Sequence, residues 1–559
     1  MSGKRADPVR SAQRAVETVR AQGVPYVFGV PGAKIDAVYD VLADMGPRLV
    51  VCRHEQNAVF MAAAMGRLTG IPGVVLVTSG PGTANLATGL LTANTEQDSV
   101  VALCGAVGRE DRLKRTHQSM DAATLLRTVT KFTGEVNDPD NVPETVVNAF
   151  RAATTEPRGS AAVILPSDVL AAPTTAGISR LLPVPSLGPA PVETIWQAAD
   201  LIRGARRPVL LVGTRAADPG SCAALRALVV ETGLPVVETF QAAGVMSRDL
   251  ERYYVGRVGL FRNQPGDAVV AEADVLVTVG YDPVEYDPVL WNTDVDRTVV
   301  HIDSIPAAVD NHYQPTLELR GAVAATLTEL VKPLAGLVRG EAYQAGIARR
   351  RRELAEIDER ARAAVPTGDG LNPVAVVLGL RDALDEDATV TCDIGSVYIH
   401  MARHFRVHEP RHLLFSNGQQ TLGVGLPWAM AASMVRPGTQ VVSVSGDGGF
   451  LFSGQELETA VRLGLTFTHV LMRDNTYDMV GFQELLKYGR KSGVRLGDYD
   501  LVKYAEAFGA HGCRVTTQDE FTSALRRALA EEGPSLIDVP VDYSHNTELA
   551  AQLHDDVFE

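Results

Sequence analysis

The chain has 559 residues, 46% of them apolar and 21% charged, with a formal net charge of -15. That length is too great for one hydrophobic core and fits three or four domains. The acidic balance excludes a phosphate backbone as partner, because such binding needs a basic face, so no nucleic-acid role is expected.

The opening stretch MSGKRADPVRSAQRAVETVRAQG is charged and helical in pattern, without the apolar centre of a secretory signal. No apolar run reaches the roughly 18 residues that span a bilayer. The cysteines Cys52, Cys104, Cys222, Cys392 and Cys513 include no CxxC pair and read as small buried apolar residues in a reducing compartment. A cytoplasmic protein with no membrane partner is the expectation.

Short apolar runs then alternate with helical patterns. PYVFGV (25–30), GVVLVTSG (73–80), SVVALCGAV (99–107) and SAAVILPSDV (160–169) each end near Gly, Ser or Pro. Such runs predict buried parallel strands joined by crossover helices, an α/β class. Within this first unit, VVCRHEQNAVFMAAAMGRLTG (50–70) predicts a strand ending at Arg53-His54 and a helix starting near Glu55. Alone, Glu55 reads as an acid stabilised at a helix start.

Residues 170–192, rich in Pro, Ala, Ser and Thr, read as a linker. A middle unit follows with strand signals RRPVLLVG (206–213), LPVVET (234–239), ADVLVTVG (273–280) and RTVVHID (297–303). The basic run RRRR (349–352) predicts a solvated face of a bridging helix before a second linker ending in PTGDG. The doubly wound units are thus 1–175, 190–337 and 365–548.

The third unit carries VVSVSGDGGFLFSGQELETAVRLGLTFTHVLMRDNTYDMV (441–480). One strand delivers Gly446-Asp447-Gly448-Gly449, and a second ends in Asp474-Asn475. Parallel strands open at the same sheet edge, so Asp447 and Asp474 can converge on one divalent ion. The glycines would let backbone N–H groups approach phosphate, helped by the following helix N-terminus. Two carboxylates with diphosphate oxygens suit Mg²⁺.

This arrangement resembles the diphosphate–magnesium motif of thiamine-diphosphate enzymes. Further strings extend the resemblance from about residue 15 to 548 and make it closest to the catabolic, FAD-independent acetolactate synthases. They include GVPGAKID (29–36), TSGPGTANLATGL (78–90), HQSMD (117–121), GLFRNQPGD (259–267), YDPVEYDPVLWN (281–292), LLFSNGQQTLGVGLPWAM (413–430) and KYGR (487–490). Gln419 departs from the apolar residue usual in its string, which bears on local packing only.

The resemblance implies three thiamine-diphosphate-enzyme domains: pyrimidine-binding, central and diphosphate-binding. It implies thiamine diphosphate and Mg²⁺ as cofactors, no FAD, pyruvate as substrate and 2-acetolactate as product. Asp447, Asp474 and the main-chain oxygen of Thr476 would hold the metal. Gly395 and Ser396, with Gly446, Gly448 and Gly449, would contact the diphosphate. Glu55 would face the aminopyrimidine, where its proton stabilises the imino tautomer. The backbone around Gln420 and Leu422 would meet the same ring, with Leu422 as the bulky support beneath the cofactor or simply a core residue. Tyr477, Met479, Val480 and Gln483 would line the reacting region. Lys34 and Gln118 would come from the first unit, Lys34 otherwise being a solvent-facing lysine, with His117 a weaker candidate. The first unit of one subunit would meet the third of another, in a homodimer or homotetramer. Pyruvate oxidase and anabolic acetohydroxyacid synthase share the fold and are the rival readings.

Overall fold

The structure is a computed structural model that describes residues 8–180, 187–259, 262–293 and 297–551. Three six-stranded parallel sheets carry the chain. In the first, strands lie in the order Arg48–Val51, Tyr26–Val30, Gly73–Val77, Val100–Ala106, Ser160–Pro166, Phe132–Glu135. The third repeats this order with Leu413–Leu414, Thr389–Cys392, Val441–Gly446, Phe467–Arg473, Pro534–Pro540 and His511–Arg514. The middle sheet runs Tyr254–Val258, Val236–Thr239, Pro208–Val212, Val275–Val279, Thr298–Asp303, Leu317–Arg320, the winding of dinucleotide-binding folds.

The uninterrupted apolar runs have the cause expected of parallel sheets covered by helices on both faces. Gly73–Val77, Ser160–Pro166 and Phe467–Arg473 are buried at every position. The expected linker at 170–192 is only partly one. Ser167–Ala171 is helical, and Pro173–Thr174 pairs antiparallel with Val9–Arg10. A composition rich in Pro and Thr reports local flexibility but not a strand partner over 160 residues away; residues 181–186 of that stretch lie outside the described residues, as do 260–261 in GLFRNQPGD and 1–7 of the opening. The bridging helix spans Glu341–Ala363. Its basic run is not wholly solvated, since Arg350 is half-buried and pairs with Glu272 of the middle unit as well as with Glu353. All five cysteines are free, and only Cys513 is not fully buried. Among the described residues no helix is long and apolar enough to cross a membrane.

The first and third units share one core. Phe28, Val59, Phe60 and Met65 pack in the same cluster as Trp428, Met430 and Phe450. Arg67 lies over the Trp428 ring at 4.7 Å and binds Asp98 through two guanidinium nitrogens at 2.7 Å each. The middle unit docks through a buried ion pair. Arg257 Nε donates to Glu238 at 2.8 Å, and its Nη1 donates to the carbonyls of Ala402 and Phe405 in the third unit.

Removing one partner of such a pair strands a buried charge. Arg257→Met is therefore expected to destabilise the protein by about 3–5 kcal/mol, seen as a lowered calorimetric midpoint. Adding Glu238→Leu should recover much of the loss. A single variant as stable as the parent would show the pair to be solvated in solution.

Candidate functional site

The carboxyl ends of the third sheet enclose a cavity of about 370 Å³. It is lined by Gly395, Ser396, Gln420, Leu422, Gly446, Asp447, Gly448, Gly449, Asp474, Thr476, Tyr477, Met479, Val480 and Gln483, so these sequence candidates meet at one place. The cause is topological: Thr389–Cys392, Val441–Gly446 and Phe467–Arg473 are neighbouring parallel strands. Their last residues open at one edge.

Asp447 is buried; its Oδ2 accepts from Asn475 N at 2.8 Å and its Oδ1 from Gly448 N at 3.1 Å. Asn475 reaches that position through a left-handed backbone, φ 57°. Asp474 accepts from Thr476 N at 3.2 Å and Thr476 Oγ1 at 2.5 Å. Burial pushes Asp447 up to about 6 and Asp474 up to about 7, and each of Asp447 and Asp478 adds repulsion at Asp474. Two desolvated carboxylates side by side call for a cation. Among the described residues no three His, Cys, Asp or Glu side chains group to hold a metal. A cation here would take two carboxylates, the Thr476 carbonyl and oxygens from a ligand or water, a donor set that fits Mg²⁺.

The glycines divide by role. A Cβ on Gly448 would lie 2.6 Å from the Tyr477 ring, and one on Gly449 would lie 2.8 Å from Asp393 Oδ1. Packing alone already requires glycine at both positions, and both line the cavity. Gly395 has φ 129° and nothing within 4 Å of an added Cβ, so it offers bare backbone to the cavity. The helix after Asp447 spans four residues, Asp447–Phe450, too short for much dipole. The nine-residue helix Ser396–His404 has no side-chain cap, and it is this N-terminus that opens on the cavity.

Residues that the motifs did not reveal hold the site in shape. Asp393 is fully buried and accepts from the amides of Ile394 (2.7 Å), Gly423 (2.9 Å) and Gly425 (3.2 Å). Burial pushes it up to about 6 against those bonds. It thereby fixes the loop bearing Gln420, φ 46°, and Leu422. Leu422 both lines the cavity and packs on the third-unit core. Asp478 Oδ2 accepts from Ser396 Oγ and Asn546 Nδ2, each at 2.8 Å. A lone aspartate at a strand or helix end carries no sequence signal of this kind.

The first-unit candidates gather at the carboxyl edge of their own sheet and do not line this cavity. Glu55 starts the helix Glu55–Thr69 and is half-buried. Its Oε2 accepts from Asn85 Nδ2 at 2.9 Å, while Oε1 faces Gly82. The Glu456 carboxylate, from the third unit, accepts from Arg53 N, His54 N and Asn57 Nδ2 and so anchors this helix start. Lys34 is half-buried, and Gln118, φ 60°, accepts weakly from Ser79 at 3.5 Å beside a 230 Å³ hollow. His117 is exposed. Gln419 is exposed and bonds Thr95.

Three family profiles match the chain: the thiamine pyrophosphate enzyme N-terminal TPP binding domain over residues 10–125, the central domain over 195–330 and the C-terminal TPP binding domain over 393–539. The chain is 53% identical over 545 residues to an acetolactate synthase of Bacillus subtilis, covering 97% of this chain and 95% of that one. It is 44% identical over 543 residues to a catabolic acetolactate synthase of Raoultella terrigena, with 97% of both chains covered. An acetolactate synthase isozyme 2 large subunit of Escherichia coli is 32% identical over 546 residues, 96% of each.

Asp447→Ala should abolish Mg²⁺-dependent thiamine diphosphate binding in calorimetry while the circular dichroism spectrum stays unchanged. Undiminished binding would remove Asp447 from the metal site.

Proposed function

Because the chain belongs to the thiamine pyrophosphate enzyme family, we propose that it is an acetolactate synthase, which condenses two pyruvate molecules to 2-acetolactate with loss of carbon dioxide. The observation that carries the reading is the single third-unit cavity that combines the Asp447–Asp474 pair with Leu422, Met479, Val480 and Gln483. Residues 1–175, 190–337 and 365–548 then serve as pyrimidine-binding, central and diphosphate-binding domains.

Thiamine diphosphate, when bound, supplies the electron sink that decarboxylation needs. Asp447, Asp474 and the Thr476 carbonyl would hold Mg²⁺, and the Ser396 helix N-terminus would face the diphosphate charge. Leu422, backed by packed core, gives a floor that cannot yield. Glu55 would carry the exchanging proton on Oε1, because Oε2 is committed to the Asn85 amide. Met479 and Val480 present apolar surface to the reacting region and keep water from it. Lys34 and Gln118 would supply a cation and an amide to the substrate carboxylate.

A complete site needs two copies of the chain. Glu55 does not line the third-unit cavity of its own chain. Leu113, on the loop leading to Gln118, is 99% exposed, and Leu451, Phe452 and Val480 stand exposed beside the cavity. Apolar surface of this kind is covered in a working protein, and a homodimer, or a tetramer of such dimers, brings the two half-sites together.

FAD is not part of this reading. In a sheet wound as the middle one is, a dinucleotide takes the crevice where the strand order reverses. Here Arg215 fills it, bonded to Asp303 at 2.8 Å and Asp282 at 2.9 Å. A Cβ on Gly213 would already lie 2.7 Å from buried Glu285. Asp303 and Asp282 hold Arg215 in place, and the buried Glu285 carboxyl closes the space beside it.

Two outcomes test the proposal. Glu55→Gln should bind the cofactor yet exchange its thiazolium C2 proton about 10²–10⁴-fold more slowly; parental exchange in deuterated buffer would make Glu55 a helix-start residue only. The second concerns the acceptor. Anabolic relatives carry a tryptophan where this chain has Gln483, and one methylene in an apolar pocket is worth about 1–3 kcal/mol. With equal pyruvate and 2-ketobutyrate, the colourless enzyme should use pyruvate at least as readily, without FAD. Strong preference for 2-ketobutyrate, or activity only with added FAD, would place it on the anabolic side.

A further inference from the structure

The strand Pro534–Pro540 runs out at the same edge as the two aspartates, and the chain then crosses that edge as residues 541–546. The crossing is fixed: Val541 N donates to Arg473 O at 3.0 Å, Asp542 N to Leu371 O at 3.0 Å and Asn546 N to Tyr543 O at 2.9 Å. Tyr543 is buried, and its ring stacks on His400 with centroids 5.7 Å apart and planes 4° from parallel. His400 is itself held by Asn546 at 3.1 Å, and Asn546 bonds Asp478. The ring has no freedom to turn away.

Its hydroxyl nevertheless has no hydrogen-bond partner among the described residues, although it is fully shielded. Tyr543 lines the cavity with Asp447 and Asp474. Leaving a buried hydroxyl unsatisfied costs about 1–3 kcal/mol, a cost that a folded enzyme sustains where a ligand removes it. Burial first, and then the nearby Asp474, Asp478 and Asp447, push this hydroxyl well above its ordinary range, so it keeps its proton and is a donor. What is missing is an acceptor at the metal end of the cavity.

We propose that the Tyr543 hydroxyl donates a hydrogen bond to an oxygen of the cofactor's diphosphate, which makes Tyr543 a cofactor-binding residue supplied by the C-terminal segment. The inference rests on the thiamine diphosphate reading above. The ring's stacking and the Asn546–Asp478–Ser396 contacts would then place this donor and the Ser396 helix end around one anion.

Tyr543→Phe tests it, because it deletes one oxygen and keeps the stacked ring. With Mg²⁺ in excess, calorimetry should show thiamine diphosphate binding to the variant weakened about tenfold or more, as for loss of one hydrogen bond to a charged acceptor. The cofactor-free variant should melt at or above the parental temperature, since the unsatisfied hydroxyl is gone. The rise in melting temperature on adding cofactor should shrink. A dissociation constant within twofold of the parent would overturn the proposal. So would an unchanged dissociation constant with a raised KM for pyruvate at saturating cofactor, which would turn the hydroxyl toward substrate. Parental enzyme that fails to bind thiamine diphosphate with Mg²⁺ would take down the functional reading as well.

Discussion

The site depends on one buried carboxylate that never touches it. Asp393 has no exposed surface and is paid for by backbone amides alone, those of Ile394, Gly423 and Gly425. An ionised carboxyl without such donors would cost several kcal/mol in a dry interior. Because the donors come from a strand end and from a loop 30 residues on, satisfying the charge fixes both. Gly449 must lack a Cβ for the same reason, since Asp393 occupies that space. The strand end, the Gln420–Gly425 loop and the glycine turn are therefore one rigid object, and the cavity floor inherits its shape.

The same chemistry joins the first unit to the third. Glu456, fully buried, accepts from Arg53 N and His54 N and from the Asn57 and Thr459 side chains. The helix that presents Glu55 thus starts where a third-unit carboxylate allows it to start. The shared core of Phe60, Trp428 and Phe450 makes the two units one body. A first unit held this firmly to its own third unit cannot swing to close the cavity. The rigid pairing within one chain keeps Glu55 out of the lining of its own third-unit cavity.

How much could be read from sequence follows from the range of each constraint. The strand ends at Asp447 and Asp474 were legible because parallel strands always open together, and 27 residues of βα pattern carry that rule. The fold class was legible because all-buried strands need apolar runs. Asp393, Asp478 and Asn546 were not, because each is held by partners 30 to 146 residues away that no local pattern encodes. The motif also could not show that Tyr477 and Asp393 exclude a Cβ at Gly448 and Gly449. The longer helix whose N-terminus opens on the cavity starts at Ser396, 50 residues before the glycine motif. The pairing of Pro173–Thr174 with Val9–Arg10 was invisible for the same reason.

The middle and third sheets show why winding alone does not make a site. Both gather carboxylates at their carboxyl edges. In the middle sheet Asp303 and Asp282 are met by Arg215, and the Glu285 carboxyl, which burial pushes up to about 8, accepts from Thr239 and Thr214. That edge is electrostatically complete and encloses its own ions. In the third sheet the nearby arginine is committed elsewhere, since Arg473 pairs with Asp538 and Asp498. Among the described residues, Asp447 and Asp474 face the cavity with only backbone amides and a threonine as partners, and beside them stands a tyrosine hydroxyl without an acceptor. Carboxylates that lack a cation and a donor that lacks an anion are complementary deficits. On the proposed reading, a metal bound to a diphosphate would answer both at once, which neither a metal alone nor an anion alone would do. Function here lies in what the fold leaves unsatisfied.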